Sequence, residues 1–176
     1  VDVTAPEPVP DALKNRASAV AAFSAPFTVV GPANYVYVGT ACSALTTDLT
    51  GKIGLIARGV CTFATKVGIA RDAGAIGAVV YNNVPGAPPI TMGGSLDNPI
   101  PAVMLGNADG LAVKDFATTN PTAQLKFESG VVAALPLPAH TMLSLSSQGP
   151  GNEYLIKPDL VAIGGNVLSQ CQNNYP

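Results

Sequence analysis

The sequence predicts a mixed α/β module, and three observations within one stretch carry that expectation. Apolar residues alternate at Ile53 and Leu55, the period changes to steps of three and four from Phe63, and a short apolar run follows from Ile76 to Tyr81. Alternation marks a strand, the longer period marks an amphipathic helix, and an unbroken apolar run marks a strand covered on both faces. Strand, helix and strand in this order favour a parallel pair with a right-handed crossover.

The first strand opens at the turn signal Thr50-Gly51 and closes at Arg58-Gly59. With small residues between its apolar ones, it is expected to lie over a core on one side. Arg58, at its end, is a candidate partner for a peptide carboxylate; a solvated turn arginine is the plainer reading. A helix over about 61–73 comes next, with Phe63, Val67, Ala70 and Ala73 on its apolar face and Lys66, Arg71 and Asp72 assigned to solvent. Gly74 supplies its stop. After the second strand, prolines and glycines from Asn82 to Pro99 block regular structure for longer than the roughly 12–15 residues of an ordinary structureless loop. Long loops on rigid scaffolds often carry function. Met92, Gly93 and Gly94, with Asn82 and Asn83 at the strand end, are therefore the candidate surface for substrate or partner. The alternative is a surface loop in which Tyr81, Asn82 and Asn83 cap the strand.

These residues resemble the protease-associated (PA) domain, a non-catalytic module found inside subtilisin-like serine peptidases and in some other peptidases and sorting receptors. The resemblance runs from about Tyr35 to Phe127 and rests on motifs that occur together. They are the order Arg58-Gly59-x-Cys61-x-Phe63-x-x-Lys66, the helix exit Ala73-Gly74-Ala75-x-Gly77 and the strand end Tyr81-Asn82-Asn83. Ile100–Leu105 leading into Asn107–Leu111 matches the family's second strand-to-helix unit. In that unit Asn107 is expected to cap the helix, with Asp109 meeting the dipole in the first turn. The resemblance implies a compact curved β-sheet or open β-barrel flanked by two helices, at about 61–73 and 107–118, in a swivelling β/β/α layout. It also implies three segments: 1–30 entering from a peptidase domain, 31–138 as the PA domain, and 139–176 returning to the peptidase. Prolines 6, 8 and 10, and Pro136 with Pro138, read as stiff extended edges of the module.

The return segment resembles subtilisin-like scaffold in Leu143–Pro150 and in Lys157–Ala162 with Gly164, although Ile163 stands where that family usually has proline. The family's aspartate, histidine, oxyanion-asparagine and serine motifs are not in this sequence. The chain is thus expected to be non-catalytic on its own, within a parent subtilisin-like serine endopeptidase that is secreted or in the cell envelope. A free-standing peptide- or protein-binding PA module is the alternative. The expected partners are the parent's catalytic domain and a polypeptide substrate.

Related domains often bridge cysteines placed like Cys42 and Cys61, which raises that pairing over two small buried thiols. Closing that loop contributes about 3 kcal/mol in the chain-entropy model. Cys171 is then left over, and its partner is expected in further chain.

Composition excludes other classes. Charged residues make up 11% of the 176, the net charge is −2, and no basic stripe is present to follow phosphates, so nucleic acid is not an expected partner. No apolar run approaches the ~20 residues of a membrane span, and any signal peptide would precede Val1. The single histidine, His140, stands beside Ser144, Ser146 and Ser147 in an extended run where alternation separates neighbours, and no Gly-x-Ser-x-Gly elbow accompanies them. A linker histidine is the better reading. The carboxylates form no Asp-x-Asp-x-Asp-Gly loop or Glu-x-x-His pair, so no resident cofactor or transition metal is expected; calcium held by backbone carbonyls in the parent protease stays open. Asn120-Pro121-Thr122 is no glycosylation acceptor, because proline occupies its middle position.

Overall fold

The computed structural model describes residues 1–129. Along the chain lie β1 (Asp2–Ala5), a single 3-10 turn (Asp11–Leu13), β2 (Ser18–Val20), β3 (Val29–Tyr37) and β4 (Ile53–Ala57). Then follow α1 (Phe63–Asp72), β5 (Gly77–Tyr81), β6 (Ala102–Leu105), α2 (Asn107–Thr119) and β7 (Gln124–Glu128). The strands form one sheet of seven in the order β1-β7-β3-β4-β5-β6-β2. Strands β3, β4, β5 and β6 pair in parallel; β1, β7 and β2 join in antiparallel fashion. Strand β3 shifts register between Val30 and Ala33, pairing with β7 over its first part and with β4 over its last. The sheet thereby curls into a half-barrel, the predicted mixed α/β architecture with two helices.

Alternation along the parallel strands feeds two cores. Ile53, Leu55, Val79, Tyr81, Val103 and Leu105 face α2, where Val113 meets them. Ile56, Ala78, Val80, Ala102 and Met104 face Val67 and Ala70 of α1. The run at β5 is buried on both faces, as its composition predicts. β4 differs from the half-exposed expectation: it too is covered on both sides, and only Ala57 is less than buried. Small Gly54 hid this in the sequence. A Cβ there would lie 3.4 Å from the Ala70 methyl, so the glycine is where α1 approaches the sheet.

Two assignments on the helices are corrected. Lys66 is fully buried, not solvated, because it shares a face with Phe63 and Ala70, three and four residues away, and the segment around Thr40 and Cys42 lies over it. Asn107 does not cap α2; Gly106 occupies the N-cap position without a side-chain bond, and the Asn107 amide turns to the neighbouring loop. Asp109 does lie in the first turn of α2, 3.6 Å from Arg16. Gly74, at φ +91, ends α1 as expected. Arg71 and Asp72 pair at 2.8 Å on its outer face.

Residues 1–30 contribute β1 and β2 to this sheet and bury Val3, Val9, Leu13, Ala21, Phe23 and Val30. His140, the neighbouring serines, Ile163, Cys171 and the return segment lie outside the described residues.

Gly110 marks the closest approach of α2 to the sheet, since a Cβ there would fall 2.1 Å from Tyr81 Cβ. Gly110→Ala is expected to destabilise by about 1–3 kcal/mol through overpacking, read as a lower urea midpoint with an unchanged slope.

Candidate functional site at the carboxyl ends of the parallel strands

Parallel α/β sheets present ligands with the crevice outside the carboxyl ends of their strands. Here that edge is formed by the residues following β4, β5 and β6: Arg58, Asn82 and Asn107. The ladder continues into it, with Arg58 N donating to Tyr81 O at 2.9 Å and Asn82 N to Leu105 O at 3.1 Å.

The buried Asn82 side chain organises this edge. Its Oδ1 accepts from Arg58 Nη1 at 2.9 Å and from Val84 N at 3.2 Å, and its Nδ2 donates to Pro88 O at 2.9 Å. Asn107 Nδ2 donates to Asn82 O at 2.8 Å, while its Oδ1 accepts from Gly86 N at 3.3 Å. Asn107 N also donates to Ala87 O at 2.9 Å. Two amides thus hold the start of the long connection from both sides. The Arg58 guanidinium, committed to Asn82, lies 5.8 Å from the centre of the Phe63 ring.

The structure divides the sequence-derived candidates. Arg58 and Asn82 meet directly. Asn83, Gly93 and Gly94 are exposed, and a Cβ on Gly94 would lie 3.6 Å from Ala64 Cβ, over the first turn of α1. Met92 is fully buried in the α1-side core and cannot offer its side chain to a partner. Leu96 and Ile100 pack on the same core, and Arg71 binds the carbonyls of Asp97 and Asn98. The connection has no regular structure, yet it covers the sheet as a crossover helix would. Proline and glycine spacing reports missing hydrogen-bond periodicity, not exposure, and a flexible thioether fits irregular gaps.

Two rim residues escaped the sequence reading. Val60, at the tip between β4 and α1, is 91% exposed with φ +70, a conformation that β-branched residues rarely adopt. Val84, at the tip after β5, is 50% exposed. A Cβ on Gly59 would lie 3.1 Å from Asn83 Nδ2, so the two tips adjoin. An apolar, β-branched residue inside a glycine turn was the available signal.

Cys42 and Cys61 form a disulfide with Cα atoms 5.7 Å apart, tying the segment before β4 to the start of α1. Thr62 caps that helix, its side chain accepting from Thr65 N at 3.2 Å. Behind the bridge, Lys66 Nζ donates to Thr40 O at 2.5 Å and contacts Cys42 Sγ at 3.4 Å. Burial pushes its pKa down. Among the described residues no group of three or more His, Cys, Asp or Glu could hold a metal ion, and no helix is long and apolar enough to cross a membrane.

Comparison with known proteins agrees with this architecture. The family model described as the PA domain matches residues 15–113, more than half of the chain. The chain belongs to the PA domain family. It is 38% identical over 128 residues to a C5a peptidase of Streptococcus pyogenes, covering 72% of this chain and 10% of the relative. It is 35% identical over 135 residues to a PII-type proteinase of Lactococcus lactis subsp. cremoris, covering 73% of this chain and 7% of the relative. The chain thus spans a tenth or less of these relatives' length. Among solved structures, an aminopeptidase from Aneurinibacillus sp. strain AM-1 aligns with TM-score 0.52 and 32% identity, over 61% of this chain and 26% of that one.

Two outcomes follow for the edge. Asn82→Ala leaves buried partners unsatisfied and should cost about 1–3 kcal/mol, with amide exchange at Val84 and Gly86 accelerating before exchange in β5. For Lys66, the lowered folded pKa means that the ammonium is disfavoured by folding at neutral pH. This penalty fades as pH rises through the folded pKa towards the ordinary lysine value of about 10.4. Urea unfolding should therefore show the wild type gaining on Lys66→Met as pH enters that window.

Proposed function

We propose that this PA domain is a non-catalytic recognition module of a secreted or cell-envelope subtilisin-like serine endopeptidase, influencing which polypeptides reach the parent's active site. The carrying observation is the rim, where Val60 and Val84 project from a platform whose asparagines are already engaged in hydrogen bonds. Such a surface offers apolar contact and shape. Its side chains hold loops in position, and an amide neither takes up nor releases a proton near neutral pH. Exposed Asn83 adjoins the Gly59 turn, exposed Gly94 lies over the first turn of α1 next to Gly93, and the guanidinium of Arg58 adds positive charge beside Asn82. The partners are the parent's catalytic domain and a polypeptide substrate.

Similarity to a C5a peptidase and a PII-type proteinase supports a peptidase parent acting on polypeptides outside the cell. A second reading, a module carried by a parent peptidase of another class, is favoured by the likeness to part of an aminopeptidase chain, 26% of which aligns. That likeness suggests recognition that does not depend on one catalytic partner.

The test is a Val60→Asp, Val84→Asp double variant in the full-length protein containing this chain. Its kcat/KM for casein should fall roughly fivefold or more, the loss of a hot spot worth at least about 1 kcal/mol, with cleavage of a short chromogenic peptide unchanged. Equal losses on both substrates, or none on either, would contradict the proposal.

A further inference from the structure

The disulfide and its buried neighbour hold a chemistry that recognition at the rim does not use. Lys66 forms no ion pair with a carboxylate among the described residues. Among the described residues its ammonium meets only the Thr40 carbonyl and Cys42 Sγ. A buried cation without a counter-charge is unfavourable, and desolvation accordingly lowers its pKa. A bridged sulfur is a weak acceptor, whereas a thiolate at the same position would be a full counter-charge. Lysine beside a cysteine favours the thiolate.

The two sulfurs are not equivalent in this respect. Cys61 Sγ lies 3.9 Å from Ala41 O, and Cys42 Sγ lies 3.8 Å from Gly59 O, so one carbonyl disfavours negative charge at each. Cys42 Sγ is also 3.5 Å from Thr40 O, but that oxygen is the one Lys66 binds. The ammonium is what distinguishes the pair. Both cysteines are half-exposed, and Cys61 sits between exposed Val60 and Thr62.

We propose that Cys61 is a site of S-thiolation by low-molecular-weight thiols, with Cys42 as the leaving group and Lys66 setting that direction. The incoming thiolate attacks Cys61 Sγ, a mixed disulfide forms there, and the Cys42–Cys61 bond breaks. Cys42 departs with the electron pair as a thiolate held by the Lys66 ammonium. The step conserves one disulfide; a second equivalent of the same thiol displaces the adduct, leaves Cys61 reduced and is itself oxidised to the small-molecule disulfide. The adduct would stand next to Val60, replacing an apolar tip with a polar, charged group when the thiol is glutathione.

The test uses the full chain in a Cys171→Ser background, treated with glutathione, quenched by alkylation and mapped by peptide mass. The wild type should carry glutathione on Cys61 and the alkyl group on Cys42. Lys66→Met should slow opening of the bridge roughly threefold to tenfold, as expected when the leaving thiol becomes less acidic. A lysine that only packs would have the opposite effect, since removing it loosens the cover and speeds reduction. Glutathione on Cys42, or an unchanged or faster rate in Lys66→Met, would overturn the proposal. Should Lys66→Met not fold, the adduct position in the wild type decides alone.

Discussion

The inner parallel strands β4, β5 and β6 have no solvated face, and this requirement for cover on both sides shapes the rest of the molecule. α2 supplies one cover, and α1 supplies part of the other. The remainder comes from the long connection between β5 and β6, which sends Met92, Leu96 and Ile100 inward. An irregular segment in that role must satisfy its own backbone polar groups. Asn82 and Asn107 do so at its start, and Arg71 holds its far end. Cover and rim are therefore one structure. The amides that allow a loop to replace a helix also fix the geometry of the edge where Val84 projects.

The sequence was legible where periodicity and chemistry coincide. The β4–α1–β5 unit and the glycine stop at Gly74 followed from motif and spacing, and the disulfide from the resemblance to related domains. Exposure was less legible than structure type. Lys66 reads as a solvated helix residue on charge alone, because nothing local announces that the Cys42 segment folds over it. Met92 reads as loop surface for the same reason, since its burial depends on a core assembled from residues far away in sequence. Asn107 looked like a cap because asparagine often is one. Its partners, Asn82 and Gly86, come near only when β5 and β6 pair in register.

The rim explains itself in similar terms. β4 ends with its backbone still paired to β5, so the chain must turn at Arg58-Gly59 before Thr62 can cap α1. The disulfide fixes that turn from one side and the Arg58–Asn82 bond from the other. Between them Val60 is held outward at positive φ, an unfavourable arrangement that persists because its neighbours are over-determined. An edge that carries an irregular turn, a strained residue and two exposed valines offers a contact surface, whichever polypeptide meets it.

The central claim, that polypeptide is recognised at the carboxyl edge of the parallel strands, is tested most directly by nuclear magnetic resonance. Isotope-labelled chain would be titrated with an unfolded casein fragment and its amide shifts followed. The account predicts saturable changes concentrated at Gly59–Thr62, Asn83–Gly86 and Gly93–Gly94, with β1 and β7 unmoved. Changes confined to those outer strands, or none at millimolar fragment, would contradict it.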